Sequence, residues 1–205
     1  MSIKALFKKN LARIEAATSG YLKQVGWIST RANGLATDVY GNPIPWFTYP
    51  AIQLLDERAK SDWHVLEFGA GMGTLWWSRR VIEVTAIEHS ADWVAQLSPH
   101  SKAHILLSTD DSSTSYIRPV RESGPYDVVI VDGLYRNECM KSAMELVSPY
   151  GVIILDDAQR EEYWTGIQML RDAGYRMLPL HGPQPVSKHP GCTAIFYRDR
   201  NVLDL

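Results

Sequence analysis

The sequence predicts an α/β protein: a doubly wound, mostly parallel seven-stranded sheet with an antiparallel last strand, covered by helices on both faces in three α/β/α layers. Three observations predict it. Seven short runs suited to strands, at residues 64–68, 83–88, 104–107, 127–131, 152–155, 176–179 and 194–197, are mostly separated by segments long enough for crossover helices. Most of these runs are almost wholly apolar rather than alternating, as strands covered on both faces are. The last two are joined by residues 181–191, rich in proline and glycine and without helical periodicity, a link that suits an antiparallel pair.

Taken in order, Leu6, Phe7, Leu11 and Ile14 recur at helical spacing beside Lys4, Lys8 and Lys9. That pattern describes an N-terminal helix packed on the domain, or one lying on a membrane surface. Lysine and asparagine interrupt the apolar run that an export signal needs. Gly20, Gly26 and Gly34 follow, then residues 38–50 with three prolines, which make a connecting arm rather than a long regular element. Residues 51–60 read as a short helix with Ile52, Leu54 and Leu55 apolar. Crossover helices are expected at residues 73–80, 91–96, 137–146 and 161–173. The expected organisation is an N-terminal helix and arm over residues 1–50, packed on one domain over residues 51–205.

At 205 residues and 45% hydrophobic content, one domain can bury a core without disulfide or metal staples. A net charge of -2 gives no basic excess for neutralising phosphates, so nucleic acid is not an expected partner. Cys139 and Cys192 are far apart and lack CxxC spacing, which fits a reducing cytoplasm. No apolar stretch approaches the eighteen residues that a membrane span needs.

The chemistry is expected at residues 65–74, an apolar strand running into Gly69-Ala70-Gly71-Met72-Gly73-Thr74. Glycines there allow a sharp turn and let a ligand approach the backbone closely. The spacing is GxGxG, and the third glycine of the dinucleotide pattern is replaced by Thr74. Glu67 puts a carboxylate at the strand end, where it repels a pyrophosphate and attracts an ammonium or sulfonium. Glu88 ends the next strand about twenty residues on, where a carboxylate can accept both hydroxyls of a ribose.

These residues resemble the class I methyltransferase family, which binds S-adenosylmethionine on a Rossmann-like sheet; the resemblance covers roughly residues 45–200. It implies that Glu67, Gly69, Ala70, Gly71, Gly73 and Thr74 hold the methionine end and Glu88 the ribose. It implies that Asp110 or Asp111 meets the adenine amino group, although Asp111 and the serines after it also suit a helix cap. His89 stands where the family often has an apolar residue against adenine; it either stacks there or is an exposed loop histidine. Gly41-Asn42-Pro43-Ile44-Pro45-Trp46, Thr48-Tyr49-Pro50-Ala51-Ile52 and Gly73-Thr74-Leu75-Trp76-Trp77 are similar to an FkbM-like bacterial group of small-molecule methyltransferases.

Asp132 ends the fourth strand, beside the place of the transferred methyl group, and is the candidate catalytic residue. Asp156 and Asp157 end the fifth, and three neighbouring carboxylates call for an offsetting positive charge. Asp132, Asp156 and Asp157 align with the divalent-ion ligands of catechol-type O-methyltransferases, with an aspartate replacing the final asparagine. A magnesium ion is one reading; pairing with Arg136 or Arg160 is the other. Trp46, Tyr49 and Arg136 are the candidate acceptor contacts. The implied reaction is methyl transfer from S-adenosylmethionine to an oxygen or nitrogen of a small-molecule or glycan acceptor. A nicotinamide oxidoreductase would need a YxxxK pair, and Tyr116, Tyr126, Tyr135, Tyr150, Tyr163 and Tyr175 all lack the lysine. A non-catalytic protein that keeps the cofactor fold is the other alternative.

Overall fold

The computed structural model describes residues 20–109 and 112–205, together with residues 10, 11, 13 and 14. Its strands are β1 (His64–Phe68), β2 (Glu83–Glu88), β3 (His104–Leu107), β4 (Tyr126–Val131), β5 (Val147–Leu155), β6 (Arg176–Gly182) and β7 (Gly191–Tyr197). They form one sheet in the order β3-β2-β1-β4-β5-β7-β6. Pairs from β3 through β5 are parallel, and β7 runs antiparallel to both β5 and β6. This is the predicted doubly wound α/β sheet with its antiparallel last strand. The chain winds outward from β1 to β3, then returns to place β4 on the other side of β1. That reversal opens a crevice beyond the carboxyl ends of β1 and β4, where ligands bind in open α/β sheets.

The helices are α1 (Tyr21–Gln24), α2 (Trp27–Asn33), α3 (Tyr49–Arg58), α4 (Met72–Trp77), α5 (Ala91–Leu97), α6 (Ser113–Ile117), α7 (Arg136–Leu146) and α8 (Trp164–Asp172). Alternate strand residues point to opposite faces, so the sheet has two cores. Leu66, Phe68, Val129, Val131, Ile153 and Leu155 pack with Cys139, Met140 and Ala143 of α7 and Ile167 and Leu170 of α8. Val65, Val128, Ile130, Val152 and Ile154 pack on the other face with Ile52 and Leu55 of α3, Trp76 and Trp77 of α4, and Phe47 of the arm.

Two expectations need correction. A helix not expected, α2, precedes the 38–50 arm, and Gly26 and Gly34 bracket it with φ of +83° and +70°, conformations that glycine adopts without a Cβ clash. Those two glycines are therefore helix ends. The helix expected over 73–80 is shorter, closing at Trp77, while α6 lies in a serine-rich stretch without helical periodicity.

The arm is also stitched to the proline-rich loop before β7. Trp27 Nε1 donates to the Ser187 carbonyl at 2.9 Å, Arg31 to that of Val186 at 2.7 Å, and the Val186 N–H to Thr30 Oγ1 at 3.0 Å. The Tyr49 N–H donates to the Pro183 carbonyl at 2.9 Å. Of the expected N-terminal helix, residues 10, 11, 13 and 14 are helical, with Leu11 and Ile14 exposed; Leu6, Phe7 and the lysines lie outside the described residues. No helix among the described residues is long and apolar enough to cross a membrane.

Candidate functional site

A cleft of about 420 Å³ lies at the carboxyl edge of β1, β2 and β4, lined by the 69–73 loop, by Glu67, Glu88 and Asp132, and by arm residues around Trp46. Backbone proximity shapes its floor. Gly69, after β1, has φ +98°, and a Cβ there would stand 2.7 Å from the Gly133 Cα, after β4. A Cβ on Gly133 would in turn meet the Tyr116 hydroxyl at 2.3 Å. The two strands therefore end in touching glycines. Gly71 lies in the lining too, and a Cβ on it would meet nothing within 4 Å.

Glu67 points from β1 into this space and is 3% exposed. The Thr74 hydroxyl donates to its Oε2 and accepts from the Gly71 N–H at 2.9 Å, so one threonine ties the carboxyl to the loop. Burial raises the Glu67 carboxyl from its usual 4.5 to about 8; the Thr74 bond opposes this, and Asp132 and Glu88 add to it by repulsion. Glu88 is 4% exposed and held by backbone donors: Ala70 N–H on Oε2 at 3.1 Å, His89 and Ser90 N–H on Oε1 at 2.9 and 2.8 Å. His89 Nδ1 lies 2.8 Å from the same Oε1. A carboxylate held this way has a fixed direction before any ligand arrives.

Asp132 is a quarter exposed, and its Oδ1 pairs with Arg136 at 2.9 Å. Its Oδ2 takes no hydrogen bond from any described residue. Arg136 starts α7 directly behind it, 11% exposed, donating from Nε to the Gly133 carbonyl at 3.1 Å and from Nη1 to the Asp156 carbonyl at 2.7 Å. Burial lifts the Asp132 carboxyl to about 6, with Arg136 pulling it back and Asp157 pushing it up.

The carboxylates expected to share a magnesium ion are not arranged as its ligands. Asp156 is buried and accepts from the Thr193 hydroxyl at 2.6 Å, and Thr193 Oγ1 itself accepts the Thr48 N–H at 2.9 Å. Burial, followed by repulsion from Asp132, holds the Asp156 carboxyl well above the carboxylate range. Asp157, at φ +55°, is paired with Arg160 and accepts from Gln159 Nε2 at 3.1 Å. The Arg136 guanidinium supplies the offsetting positive charge, and no group of three metal-ligating side chains exists among the described residues. The donor set does not fit a divalent ion.

Of the remaining candidates, Gly69, Ala70, Gly71, Gly73, His89 and Trp46 line the cleft. Thr74 is buried and acts on the cleft through Glu67 and the Gly71 N–H. Tyr49 is outside the lining; its ring is 4% exposed and meets Tyr21 edge-on at 6.5 Å, so it packs the arm onto the domain. Arg136 stands behind Asp132 rather than in the lining. Asp110 and Asp111 lie outside the described residues. Sequence reasoning missed Trp93, which lines the cleft and donates from Nε1 to the Ala70 carbonyl at 2.8 Å. A tryptophan in the otherwise polar start of α5, five residues after Glu88, was the available signal. Leu35, Phe47, Met72 and Leu134 were missed as well, and only the folded arm and loops bring them there.

No protein-family model matches this sequence, and no curated protein matches it either. Solved structures do. A precorrin-8w decarboxylase from Methanobacterium thermoautotrophicum superposes with a TM-score of 0.57 at 19% identity, over 81% of this chain and 97% of that one. A precorrin-6y C5,15-methyltransferase from Geobacter metallireducens gives 0.57 at 16%, over 72% and 86%. A Streptococcus mutans protein described as a methyltransferase, in complex with S-adenosylhomocysteine, gives 0.52 at 11%, over 71% and 94%. At these identities the likeness is one of fold.

Proposed function

We propose that this chain is an S-adenosylmethionine-dependent methyltransferase acting on an oxygen or nitrogen of a small-molecule or glycan acceptor. One observation carries the reading: the lining of the cleft holds three acidic side chains, Glu67, Glu88 and Asp132, and among the described residues no lysine or arginine. A dinucleotide would bring a pyrophosphate against those carboxylates with no cation to receive it. A nucleoside carrying a positive charge meets complementary charge instead. Solved methyltransferases of like fold, one of them with S-adenosylhomocysteine, support the reading.

In it, Glu88 receives the ribose hydroxyls on the carboxylate that Ala70, His89 and Ser90 orient, and Trp93 and His89 border the base. Glu67 and the 69–73 loop receive the amino-acid end, with Gly71 leaving room for close approach. Bound there, the cofactor supplies an electrophilic methyl group. The protein's part is alignment: fixing both reactants in one geometry contributes roughly 7–11 kcal/mol, so no covalent intermediate is needed. Asp132 orients the acceptor or takes its proton, and Arg136 holds Asp132 in place. The arm over the mouth excludes water. Residues 34–36 and 45–47 serve the domain at residues 51–205 in this way, and the arm motifs support a place in the FkbM-like group. A cytoplasmic site of action fits the cysteine usage.

Calorimetry with S-adenosylhomocysteine tests the cofactor step, with the reduced nicotinamide dinucleotide as control. Binding of the first and not the second is expected, and the reverse result overturns the reading. Transfer of label from S-adenosylmethionine into a metabolite extract separates an enzyme from a binding protein.

A further inference from the structure

We infer that the acceptor is an amine carried on an apolar or aromatic body, its nitrogen received by Asp132 Oδ2 and its body laid on the rim made by Leu35, Trp46 and Leu134. The inference rests on the cofactor reading and deepens it. Three independent features of the cleft lead to it.

The first is the direction of Arg136. Its donors are committed to Asp132 Oδ1 and the carbonyls of Gly133 and Asp156, and its side chain is 11% exposed behind the carboxylate. The nearest guanidinium therefore offers nothing to a phosphate, sulfate or carboxylate in the cleft. The second is the carboxylate it leaves forward. Asp132 Oδ2 is an acceptor without a described donor, on a side chain a quarter exposed to the cleft. The third is the rim, where Leu35, Trp46 and Leu134 are 46%, 47% and 39% exposed and give an entering group apolar surface.

Charge favours an amine over an anionic acceptor. An amine nitrogen attacks with its lone pair to form the N–C bond, while the pair of the C–S bond leaves with sulfur, which becomes a neutral thioether. The positive charge thus passes from sulfur to nitrogen and stays in a cleft lined by carboxylates. The acceptor is received as an ammonium, so one proton first passes to Asp132 Oδ2 and on to water to free the lone pair, and the methylated product leaves as an ammonium. An anionic acceptor would have to approach Asp132 against like charge, and its methylation would extinguish the positive charge that the cofactor brings to the cleft.

The test uses the intact protein loaded with S-adenosylhomocysteine and three matched probes, 2-phenylethylamine, 2-phenylethanol and phenylacetate, read by saturation-transfer NMR titration above the Asp132 titration. The amine is expected to bind at least about tenfold tighter than phenylacetate, with the alcohol between them. Asp132→Asn should bring the amine and alcohol together. Trp46→Ala, on the exposed rim, should weaken both alike and keep their order. Absence of amine binding, equal or tighter binding of phenylacetate, or an unchanged amine preference in Asp132→Asn each overturns the inference. S-adenosylhomocysteine binding is read before any probe is added. Its failure overturns the cofactor reading alone, and the same probes are then compared on the unloaded cleft.

Discussion

Gly69 and Gly133 meet backbone to backbone, so that a methyl group on Gly69 would stand 2.7 Å from the Gly133 Cα. This contact joins the ends of β1 and β4, the two strands between which the winding of the sheet reverses. Gly69→Ala must therefore relieve both a backbone clash and a φ of +98°. Thermal or urea unfolding should show a loss of roughly 2–4 kcal/mol. Gly71→Ala makes the contrast, since its Cβ meets nothing within 4 Å. It should stay within about 1 kcal/mol of the parent yet weaken S-adenosylhomocysteine binding by about tenfold or more, because the new methyl enters the cleft.

Glu67 sets a pH dependence. Its folded pKa of about 8 is above its ordinary 4.5, so the folded protein holds a proton that the unfolded chain releases. The sign follows: this stabilisation is complete below about 4.5 and is lost as pH rises through about 8. Unfolding free energies of the parent and Glu67→Gln, measured across that window, should differ by a slope amounting to a total on the order of 5 kcal/mol. Parallel curves would show that Glu67 titrates normally.

Binding of the cofactor's amino-acid end brings an ammonium to Glu67 and should draw its proton off. Titration calorimetry of S-adenosylhomocysteine near neutral pH, in buffers of different ionisation enthalpy, is expected to show release of up to about one proton by the parent and close to none by Glu67→Gln. Equal proton release by the two proteins would remove Glu67 from the surroundings of the amino-acid end.

Glu88→Gln keeps the shape of the side chain but replaces one of the two oxygens that the Ala70, His89 and Ser90 N–H groups share. An expected cost of roughly 1–3 kcal/mol in stability comes with a loss of S-adenosylhomocysteine affinity of about tenfold or more. Undiminished affinity in folded protein would place the ribose elsewhere.

Thr193→Val removes the hydroxyl that accepts the Thr48 N–H and donates to the buried Asp156. With two buried groups left unpartnered, a loss of roughly 2–4 kcal/mol is expected in urea, and Thr193→Ser should restore it to within about 1 kcal/mol. The same variant should speed amide exchange in the arm at Thr48.

Reading the strands required only local information. The apolar runs at residues 64–68, 83–88 and 127–131 recover β1, β2 and most of β4 because strands buried on both faces admit little else. Boundaries were less legible: β6 and β7 extend beyond the runs read at 176–179 and 194–197 to Gly182 and back to Gly191, because pairing with each other, from Gly182 opposite Gly191 onward, extends both. Helix α2 escaped for a related reason. Its ends are set by glycines whose left-handed φ is invisible until the chain closes on Asp38 and on the 183–189 loop.

By itself, the sequence determined the α/β class, the antiparallel end of the sheet, the 69–73 loop and the placing of Glu67, Glu88 and Asp132 at strand ends, since periodicity and spacing are local properties. Tertiary structure alone decided where those strand-end side chains turn and what faces them. Asp132, Asp156 and Asp157 look alike as residues, yet one opens to the cleft, one is buried on Thr193 and one is paired with Arg160. The physical reason is that a carboxylate's direction and charge state follow from its desolvation and its donors. Here the donors to Asp132 and Asp156 come from α7 and β7, the second 37 positions away along the chain, and the Thr193 hydroxyl is held in turn by the Thr48 N–H of the arm, 145 positions from it.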